Sequence, residues 1–155
     1  MNYIVLIGDI ENSRGITNRE AFQKNFNQAL KTVQETFQRL IVSPLTITLG
    51  DEFQTVLNDA SGLFDLTTKI EILLEQTTFR FGIGLGGIVT EINHENAIGM
   101  DGPAFHNARR AIEKARQEQK RYGLCTAGEP ADLSLLLDWI NASTARWSIQ
   151  KKQIR

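Results

Sequence analysis

The sequence predicts one α+β domain in which strands and helices follow one another in the order β-α-β-β-α-β. Three patterns lead to this prediction. Short apolar runs are rich in β-branched residues, two longer segments carry apolar residues at three- and four-residue steps, and one central stretch alternates strictly between apolar and small or polar residues. With 155 residues, the chain is long enough for one well-buried core, and we expect no second complete domain.

Charge and cysteine content narrow the class of protein. Seventeen basic and eighteen acidic residues give a formal charge of -1, so the chain as a whole has no general attraction to nucleic acid. The single cysteine, Cys125, has no internal partner for a disulfide, and no apolar stretch approaches the length of a bilayer span. The N-terminus opens on a strand without a preceding basic segment, which argues against a signal peptide. Together these features predict a cytoplasmic protein without a membrane partner.

A short apolar run opens the sheet. Residues 3–7 are too few and too rich in Ile and Val for a helix, so they predict a buried strand. We expect Gly8 to end this strand and to leave the carboxylate of Asp9 just beyond it. Residues 10–16 then form a loop.

The first helix is predicted from its start signal and its apolar stripe. Thr17 and Glu20 have the spacing of a capping box, which places the helix start there. Pro44 is expected to end the helix. The apolar face recurs over about five turns, at Phe22, Phe26, Leu30, Val33, Phe37 and Leu40.

The stretch 45–57 predicts a β-hairpin with carboxylates at its tip. Apolar residues alternate with threonines up to Gly50, then Asp51 and Glu52 interrupt, and β-favouring residues resume. Acidic residues at a tight turn are often only solvated, and this pattern alone leaves both interpretations open. Asp9 adds a second carboxylate at the end of another strand. If the two strands are neighbours, Asp9 and Asp51 are placed to share a divalent cation.

A second helix and a glycine-rich strand follow. Asn58 or Asp59 is placed to cap the helix, whose apolar side is expected to contain Leu63, Leu66, Ile70 and Leu73. From Phe79 the period returns to two, and one face of the strand is nearly free of side chains because glycines occupy alternate positions up to Gly86. The glycines match G-x-G-x-x-G, but they lie within the strand and residues 88–93 do not open a helix, so a dinucleotide site is rejected. A packed helix is the favoured cover for this face, and a flat ligand is the alternative.

The third helix is predicted to have small residues on its packed side and many basic residues elsewhere. Residues 90–100 form a polar loop that contains His94, and Asp101 is placed to cap a helix whose first residue is Pro103. The packed side is Ala104, Ala108, Ala111, Ile112 and Ala115. The basic residues are Arg109, Arg110, Lys114, Arg116, Lys120 and Arg121. Such a run is usually a solvated face, although Arg109 and Arg110 lie about two turns from the helix start, within reach of an anion near the strand ends.

The C-terminal part is expected to hold a last strand and further helix. Residues 121–127 predict the strand, and residues 130–140 predict a helix with Leu133, Leu136, Leu137 and Ile140 inward. Residues 143–155 have the form of a cap and the first turns of another helix, without a stop signal. Two interpretations stay open here: a lone amphipathic tail, and a chain that is cut within a further C-terminal module.

Four ordered blocks, at residues 7–13, 48–54, 80–86 and 98–110, together resemble the SatD family of bacterial proteins. The likeness covers most of the chain. It implies a helix-turn-helix segment, hence a possible DNA partner, after this domain. The domain organisation that follows is a domain at 1–128, a packed C-terminal helix at 129–142, and the start of a truncated helix-turn-helix module at 143–155.

The same blocks are similar, more remotely, to the class III nucleotide cyclase and GGDEF group. That resemblance implies a ferredoxin-like β-α-β-β-α-β core of nucleotide cyclase-like type, here with an added C-terminal helix. It also implies a metal-binding Asp after the first strand, met by Asp9 with the Ile10 carbonyl, and an acidic hairpin residue, met by Asp51. Glu52 stands where the GGDEF motif has its second acid. The implied partners are Mg²⁺ or Mn²⁺, a nucleoside triphosphate and a second copy of the chain as a homodimer.

The chain departs from the cyclase pattern at two points. In the cyclase segment Gly-Asp-x-Val-Asn-x-Ala-x-Arg, the last position is met by Arg110, but Pro103 replaces the Asp and His106 replaces the transition-state Asn. Ile47 stands where purine-selecting cyclases have a Lys. These departures leave the metal site in place as a prediction and argue against cyclisation.

The predicted site combines the residues of these blocks. Its metal ligands are Asp9, Ile10 and Asp51. Its nucleotide-binding residues are Ile10, Asn12, Ser13, Arg14, Thr48, Gly50 and Arg109, with backbone N–H groups of the 11–15 loop on the phosphates. Its candidate catalytic residues are Asp51, Glu52, His106 and Arg110.

Three hypotheses from different classes remain. The first, which the sequence favours, is a nucleotide- and metal-binding sensor domain that regulates an attached DNA-binding segment. The second is an enzyme, either a nucleotidyl cyclase or a triphosphate hydrolase with two metal-binding aspartates. The third is a scaffold in which the Gly-Asp-Glu-Phe sequence only makes a good turn.

Overall fold

A computed structural model describes residues 1–128, 135 and 137–144. These residues form five strands and three long helices in the order β-α-β-β-α-β-α-β, with a short 3₁₀ turn at Ser13–Gly15. Their bounds are β1 Tyr3–Ile10, α1 Arg19–Thr36, β2 Ile41–Leu49, β3 Glu52–Leu57, α2 Leu63–Leu73, β4 Phe79–Gly86, α3 Pro103–Gln117 and β5 Tyr122–Cys125.

The five strands form one sheet in the order β2-β3-β1-β4-β5. Neighbouring strands from β2 to β4 are antiparallel, whereas β5 lies parallel to β4. The parallel pair requires a crossover, and α3 provides it. The predicted α+β class and the ferredoxin-like core are confirmed by this topology.

The helices α1 and α2 cover one face of the sheet. The core on this face is large and aromatic, because Phe26 of α1 packs against Phe53 and Phe79, with ring centroids 6.3 and 6.0 Å away. Phe81 and Tyr122 extend the ring cluster toward β5, with centroids 5.2 Å apart. All five of these rings are fully buried.

The opposite face is covered by α3, which approaches the sheet very closely, and by part of the 88–100 loop. A Cβ atom added to Gly84 would lie 2.1 Å from the backbone nitrogen of Ala108 and 2.2 Å from the carbonyl oxygen of Ala104. Gly82 faces Ile112 at a similar approach. The glycine face is therefore occupied by a helix, as favoured from the sequence, and the flat-ligand alternative is wrong.

The prediction that β1 ends at Gly8 is wrong, because the strand continues to Ile10. Gly8 lies inside the strand opposite Phe53, and a Cβ at this position would lie 2.2 Å from the Phe53 ring. The glycine makes room for an aromatic side chain and does not stop the strand. Consequently Asp9 belongs to the sheet instead of following it.

The bounds of α1 also differ from expectation at both ends. Asn18, not Thr17, caps the helix, and its side chain accepts a hydrogen bond from the Ala21 N–H at 3.1 Å. The helix ends at Thr36, and Pro44 lies within β2. Proline is tolerated there because β2 is an edge strand with an irregular register between positions 43 and 46.

The starts of α2 and α3 are capped by glycines instead of the expected polar side chains. Gly62 precedes α2, and Asp59 instead accepts hydrogen bonds from Ser61 in the preceding turn. Gly102 precedes α3 with φ 149°, while Pro103 begins the helix as predicted. On α2, Leu63, Leu66 and Ile70 are buried as expected, but Leu73 is partly exposed and Leu74 is buried in its place.

A C-terminal helical segment, residues 137–144, packs beside β5. The Asn141 amide group pairs with both backbone groups of Tyr122, at 2.7 and 3.0 Å, and so continues the hydrogen bonding of the edge strand through a side chain. The helix expected at 130–140 lies partly outside the described residues, as do most of residues 143–155. Across the described part of the chain, none of the helices has the length and apolar character needed to cross a membrane.

Candidate functional site

The predicted acidic positions lie on neighbouring strands. β1 pairs with β3, and Asp9 and Glu52 are directly opposite each other in the register. At the hairpin tip, the Asp51 carbonyl accepts a hydrogen bond from the Ile10 N–H at 3.0 Å. The premise that the β1 end and the hairpin adjoin is therefore confirmed, whereas cation binding between Asp9 and Asp51 stays a prediction.

Asp51 is tied to the loop that follows β1. The Ser13 hydroxyl donates to Asp51 Oδ2 at 2.6 Å, across the gap between the 3₁₀ turn and the hairpin tip. This turn follows Asn12, which adopts a left-handed conformation with φ 55° and is exposed together with Arg14. The loop predicted to bind phosphate therefore lies directly beside the hairpin carboxylate.

The hairpin tip has a second attachment to α1. Gln23, on the second turn of α1, donates its side-chain amide to the carbonyl of Gly50. Because the Gly50 carbonyl is held by α1 and the Asp51 carboxylate by the 3₁₀ turn, the tip is fixed from two directions. This contact was not anticipated, because a glutamine within an exposed helical stretch carries no signal of its distant partner.

Asp9 faces α3, because it shares a side of β1 with Val5 and Ile7, which pack against that helix. Its Oδ2 accepts a charged hydrogen bond from Arg116 Nη2 at 2.8 Å. The same guanidinium contacts Glu113 at 2.8 Å. Hydrogen bonding to Asp9 is the main cause that raises the pKa of Arg116.

Glu52 forms the other ion pair between the hairpin and α3. Its two carboxylate oxygens accept from Arg109 at 2.8 and 2.9 Å, a bidentate arrangement, and the Thr48 hydroxyl donates to it at 2.9 Å. Only 5% of the side chain is exposed. Burial alone would raise the pKa of the Glu52 carboxyl, but the hydrogen bonds from Arg109 and Thr48 outweigh it, so the pKa lies below its usual value.

The carboxylates of Asp9 and Glu52 therefore lie opposite each other on the same side of the sheet. Two negative charges in this arrangement repel each other. Arg109 and Arg116 lie seven positions apart on α3, about two turns, so both reach the same side of the sheet. Arg109 neutralises Glu52 and Arg116 neutralises Asp9. Of the two carboxylates that the sequence assigned to a metal, Asp9 is paired with Arg116, whereas Asp51 accepts a hydrogen bond from Ser13.

Two other predicted site residues, His106 and Arg110, also lie on α3. His106 contacts Asp101 through its Nε2 atom at 2.7 Å, and Arg110 donates to the Asn107 side chain at 2.6 Å. An open depression of about 700 Å³ on the outer side of α3 collects His106, Arg109 and Arg110 on one surface. None of the described contacts of His106 or Arg110 includes the acidic residues of the hairpin.

Ile47, at the position where purine-selecting cyclases have a Lys, points away from α3. It pairs with Phe53 and packs against the aromatic core under α1 and α2. This position therefore contributes to the core and not to the side of the sheet that holds Asp9 and Glu52.

The donor atoms near the hairpin suit a hard divalent cation, because Asp9, Asp51 and the Ile10 carbonyl offer only oxygen. Within the described ranges, however, no group of three or more His, Cys, Asp or Glu side chains is arranged to hold a metal. Two carboxylates and a carbonyl are few protein ligands, so a cation here requires oxygens from water or a phosphate.

Two further contacts were missed by the sequence reasoning. Arg116 was counted in the solvated charge run, although its spacing from Arg109 places both on one face of α3. The second contact joins Arg80 of β4 to Glu11, and the Arg80 Nε–H donates to the Lys120 carbonyl at 3.0 Å. Opposite charges so far apart in sequence give no signal until the strands pair.

The chain belongs to the SatD family, whose model matches residues 3–151. No curated protein matches the chain. Among solved structures, it is similar to a bacterial light-regulated adenylyl cyclase, with 15% identity, a TM-score of 0.56, and coverage of 77% of this chain and 73% of the other. It is also similar to the dimeric guanylyl cyclase domain of the RhoGC fusion protein from the aquatic fungus Blastocladiella emersonii, with 14% identity, a TM-score of 0.53, and coverage of 72% and 73%. At such identities, these likenesses establish a cyclase-like fold, in agreement with the resemblance drawn from the sequence.

Proposed function

We propose that this chain is a nucleotide- and divalent-metal-binding sensor domain that regulates an attached C-terminal DNA-binding segment. The observation that carries the proposal is the contact between Ser13 and the Asp51 carboxylate, 2.6 Å between oxygen atoms. It joins a loop with exposed backbone and a basic side chain, Arg14, to a hairpin carboxylate. A triphosphate on the loop would supply the oxygens that a cation between Asp9 and Asp51 still needs.

The metal supplies charge neutralisation for the phosphates when it is bound. Asp9 and Asp51 would hold it through carboxylate oxygens, and the Ile10 carbonyl would add a neutral ligand. Ser13 orients the Asp51 carboxylate, and backbone N–H groups of residues 12–14 would bind the phosphates, since those of Glu11 and Gly15 already donate to the Thr78 and Asn12 carbonyls. The chain therefore contributes positioning and counter-charge at the β1 end, without a required bond-breaking step.

A chain of polar contacts supports the regulatory part of the proposal. Glu11, in the phosphate loop, contacts Arg80, and Arg80 donates to the Lys120 carbonyl at 3.0 Å. The Lys120 ammonium in turn contacts Asp138 of the C-terminal helical segment at 2.9 Å. A displacement of the loop on ligand binding is thereby connected to the segment from which a DNA-binding module would continue.

The experiment is a thermal-shift screen of ATP, GTP and other nucleotides, each with and without Mg²⁺ or Mn²⁺. At a ligand concentration of about one hundred times the Kd, the melting temperature should rise by about 5 to 10 °C, and only when metal and nucleotide are both present. Asp51→Asn should abolish the shift. Asp65→Asn, which makes the same substitution at an exposed position on α2, is the matched control and should keep it.

A rise in melting temperature with nucleotide alone would contradict the requirement for a metal. No rise with any nucleotide, from a folded wild-type protein, would contradict the sensor function as a whole. The C-terminal partner is tested separately, by DNA binding of a longer chain with and without the nucleotide that gives the largest shift.

A second candidate is an enzyme, a nucleotidyl cyclase or triphosphate hydrolase that works as a homodimer. It is favoured by the depression on α3 that contains His106, Arg109 and Arg110, since basic side chains on an open surface suit phosphates supplied from a second subunit. Product analysis after incubation with nucleoside triphosphates and Mn²⁺ separates this candidate from the sensor. Turnover that disappears in Arg110→Ala and falls with protein dilution would favour the dimeric enzyme.

A further inference from the structure

We propose that Arg116 is a built-in competitor for the cation at Asp9, so that metal binding must first displace the α3 arginine. The inference rests on the proposed metal site and describes its regulation. Arg116 Nη2 lies 2.8 Å from Asp9 Oδ2, and the opposite end of the guanidinium lies 2.8 Å from Glu113. The arginine is therefore held in place by two carboxylates, one on β1 and one on its own helix.

Arg116 and a divalent cation compete for the Asp9 carboxylate, because both are positively charged. A cation bound to the Asp9 carboxylate with ligand bonds near 2 Å would stand within a few ångströms of the Arg116 charge. Two positive charges at that distance repel strongly where solvent is partly excluded, and the Asp9 side chain is only 16% exposed. The carboxylate thus binds either Arg116 or the metal with full strength.

The two arginines of α3 differ in a way that makes only one of them releasable. Arg109 binds Glu52 through two hydrogen bonds, and Glu52 is buried, so separation would leave an uncompensated charge in the interior. Arg116 makes a single bond to Asp9 and retains Glu113 as a partner after release. Metal binding would therefore release Arg116 from Asp9, while the Arg109 pair and the packing of α3 on the sheet stay in place.

Arg116 lies at the end of α3 that leads toward the C-terminal helical segment. α3 ends at Gln117, three residues before Lys120, which contacts Asp138 of the C-terminal helical segment. Release of Arg116 consequently changes the restraint on the connection between the site and that segment. In this scheme Arg116 is a positioning residue that acts through Asp9 and α3.

The test compares Mn²⁺ binding to the wild type, Arg116→Gln and Lys114→Gln, measured by electron paramagnetic resonance of free Mn²⁺. Lys114→Gln removes the same charge from an exposed position two residues away, so it controls for the general change in electrostatics. Arg116→Gln should bind Mn²⁺ about fivefold more tightly than the wild type, as expected from loss of one partly exposed ion pair. Lys114→Gln should bind within about twofold of the wild type.

The melting temperature without metal distinguishes a purely structural role of Arg116 from competition with the cation. Loss of the ion pair should lower it in Arg116→Gln, because Asp9 loses its counter-charge, while affinity for Mn²⁺ rises. A lower melting temperature together with a higher Mn²⁺ affinity supports competition. Arg116→Lys keeps the charge, so both of its values should lie between those of the wild type and Arg116→Gln. If Arg116→Gln proves too unstable to measure, Arg116→Lys against the wild type carries the comparison.

The possible outcomes distinguish failure of the Arg116 competition from failure of the metal site. If Mn²⁺ binds the wild type and is lost in Asp51→Asn, but Arg116→Gln and Arg116→Lys leave the affinity unchanged, the competitor is overturned and the metal site stands. If neither the wild type nor Arg116→Gln binds Mn²⁺, the metal site fails and the competitor fails with it. An equal gain in Lys114→Gln would also overturn the competitor, because the effect would then be one of net charge.

Discussion

The two faces of the sheet are covered in opposite ways. The face under α1 and α2 is filled by large rings such as Phe26, Phe53 and Phe79, which hold the helices at the usual distance of a side-chain-filled core. The face under α3 has glycines on the sheet and alanines on the helix, so the two backbones nearly touch. A close backbone approach fixes the position of α3 on the sheet, and this is what brings Arg109 and Arg116 to the carboxylates.

An interface of small residues tolerates little added volume. A core of large side chains tolerates more, because side chains can shift to make room. At the α3 face, the atoms that a new methyl group would meet belong to a helix backbone. At the other face, they belong to a ring that has some freedom to move. The following variants test this difference, from the largest expected effect to the smallest.

Gly84→Ala should produce the largest loss of stability. The added methyl would lie 2.1 Å from the Ala108 nitrogen, so α3 would have to move as a unit, at a cost of about 3 kcal/mol or more. Gly87→Ala, three residues later in the chain, is the matched control, because no atom lies within 4 Å of its added Cβ. Urea unfolding measures both. Similar free energies of unfolding for the two variants would contradict the close-approach interpretation of the α3 face.

Gly8→Ala should cost less, about 2 kcal/mol, because the obstacle is the Phe53 ring and not backbone. The cost should shrink by about 1 kcal/mol or more when Phe53 is already shortened to Leu, since the leucine leaves room for the methyl group. Free energies of unfolding for the wild type, both single variants and the double variant give the coupling directly. Additive effects would show that Gly8 is needed for a reason other than the ring.

The smallest effect is the pH dependence contributed by Glu52 at the charged end of the α3 face. Its pKa is lowered in the folded protein, so its ionisation stabilises the fold fully above the usual value of 4.5 and progressively less as the pH falls through the lowered pKa. The difference in free energy of unfolding between the wild type and Glu52→Gln should therefore shrink as the pH is lowered from about 7 to about 3. A difference that stays constant with pH would mean that the Arg109 pair does not depend on the carboxylate charge.

Much of the fold could be predicted from periodicity. The order of strands and helices, the glycine-rich strand and the alanine side of α3 all follow from local patterns. The errors fall where a tertiary contact outweighed a local rule: Gly8 lies inside a strand because of the Phe53 ring, and Pro44 is accepted in β2 because that strand is at the edge. The sequence also gave no sign of Gln23 at the Gly50 carbonyl, because a single hydrogen bond between distant segments leaves no periodic signal.

The sequence by itself determined the class of fold and the presence of acidic residues at two strand ends, because alternation, turn residues and helix signals act over short distances. Only the tertiary structure decided which charges meet. Asp9 pairs with Arg116 across 107 positions, and Glu52 with Arg109 across 57. Such pairs depend on strand register and on how closely α3 approaches the sheet, and neither quantity is written in any local stretch of residues.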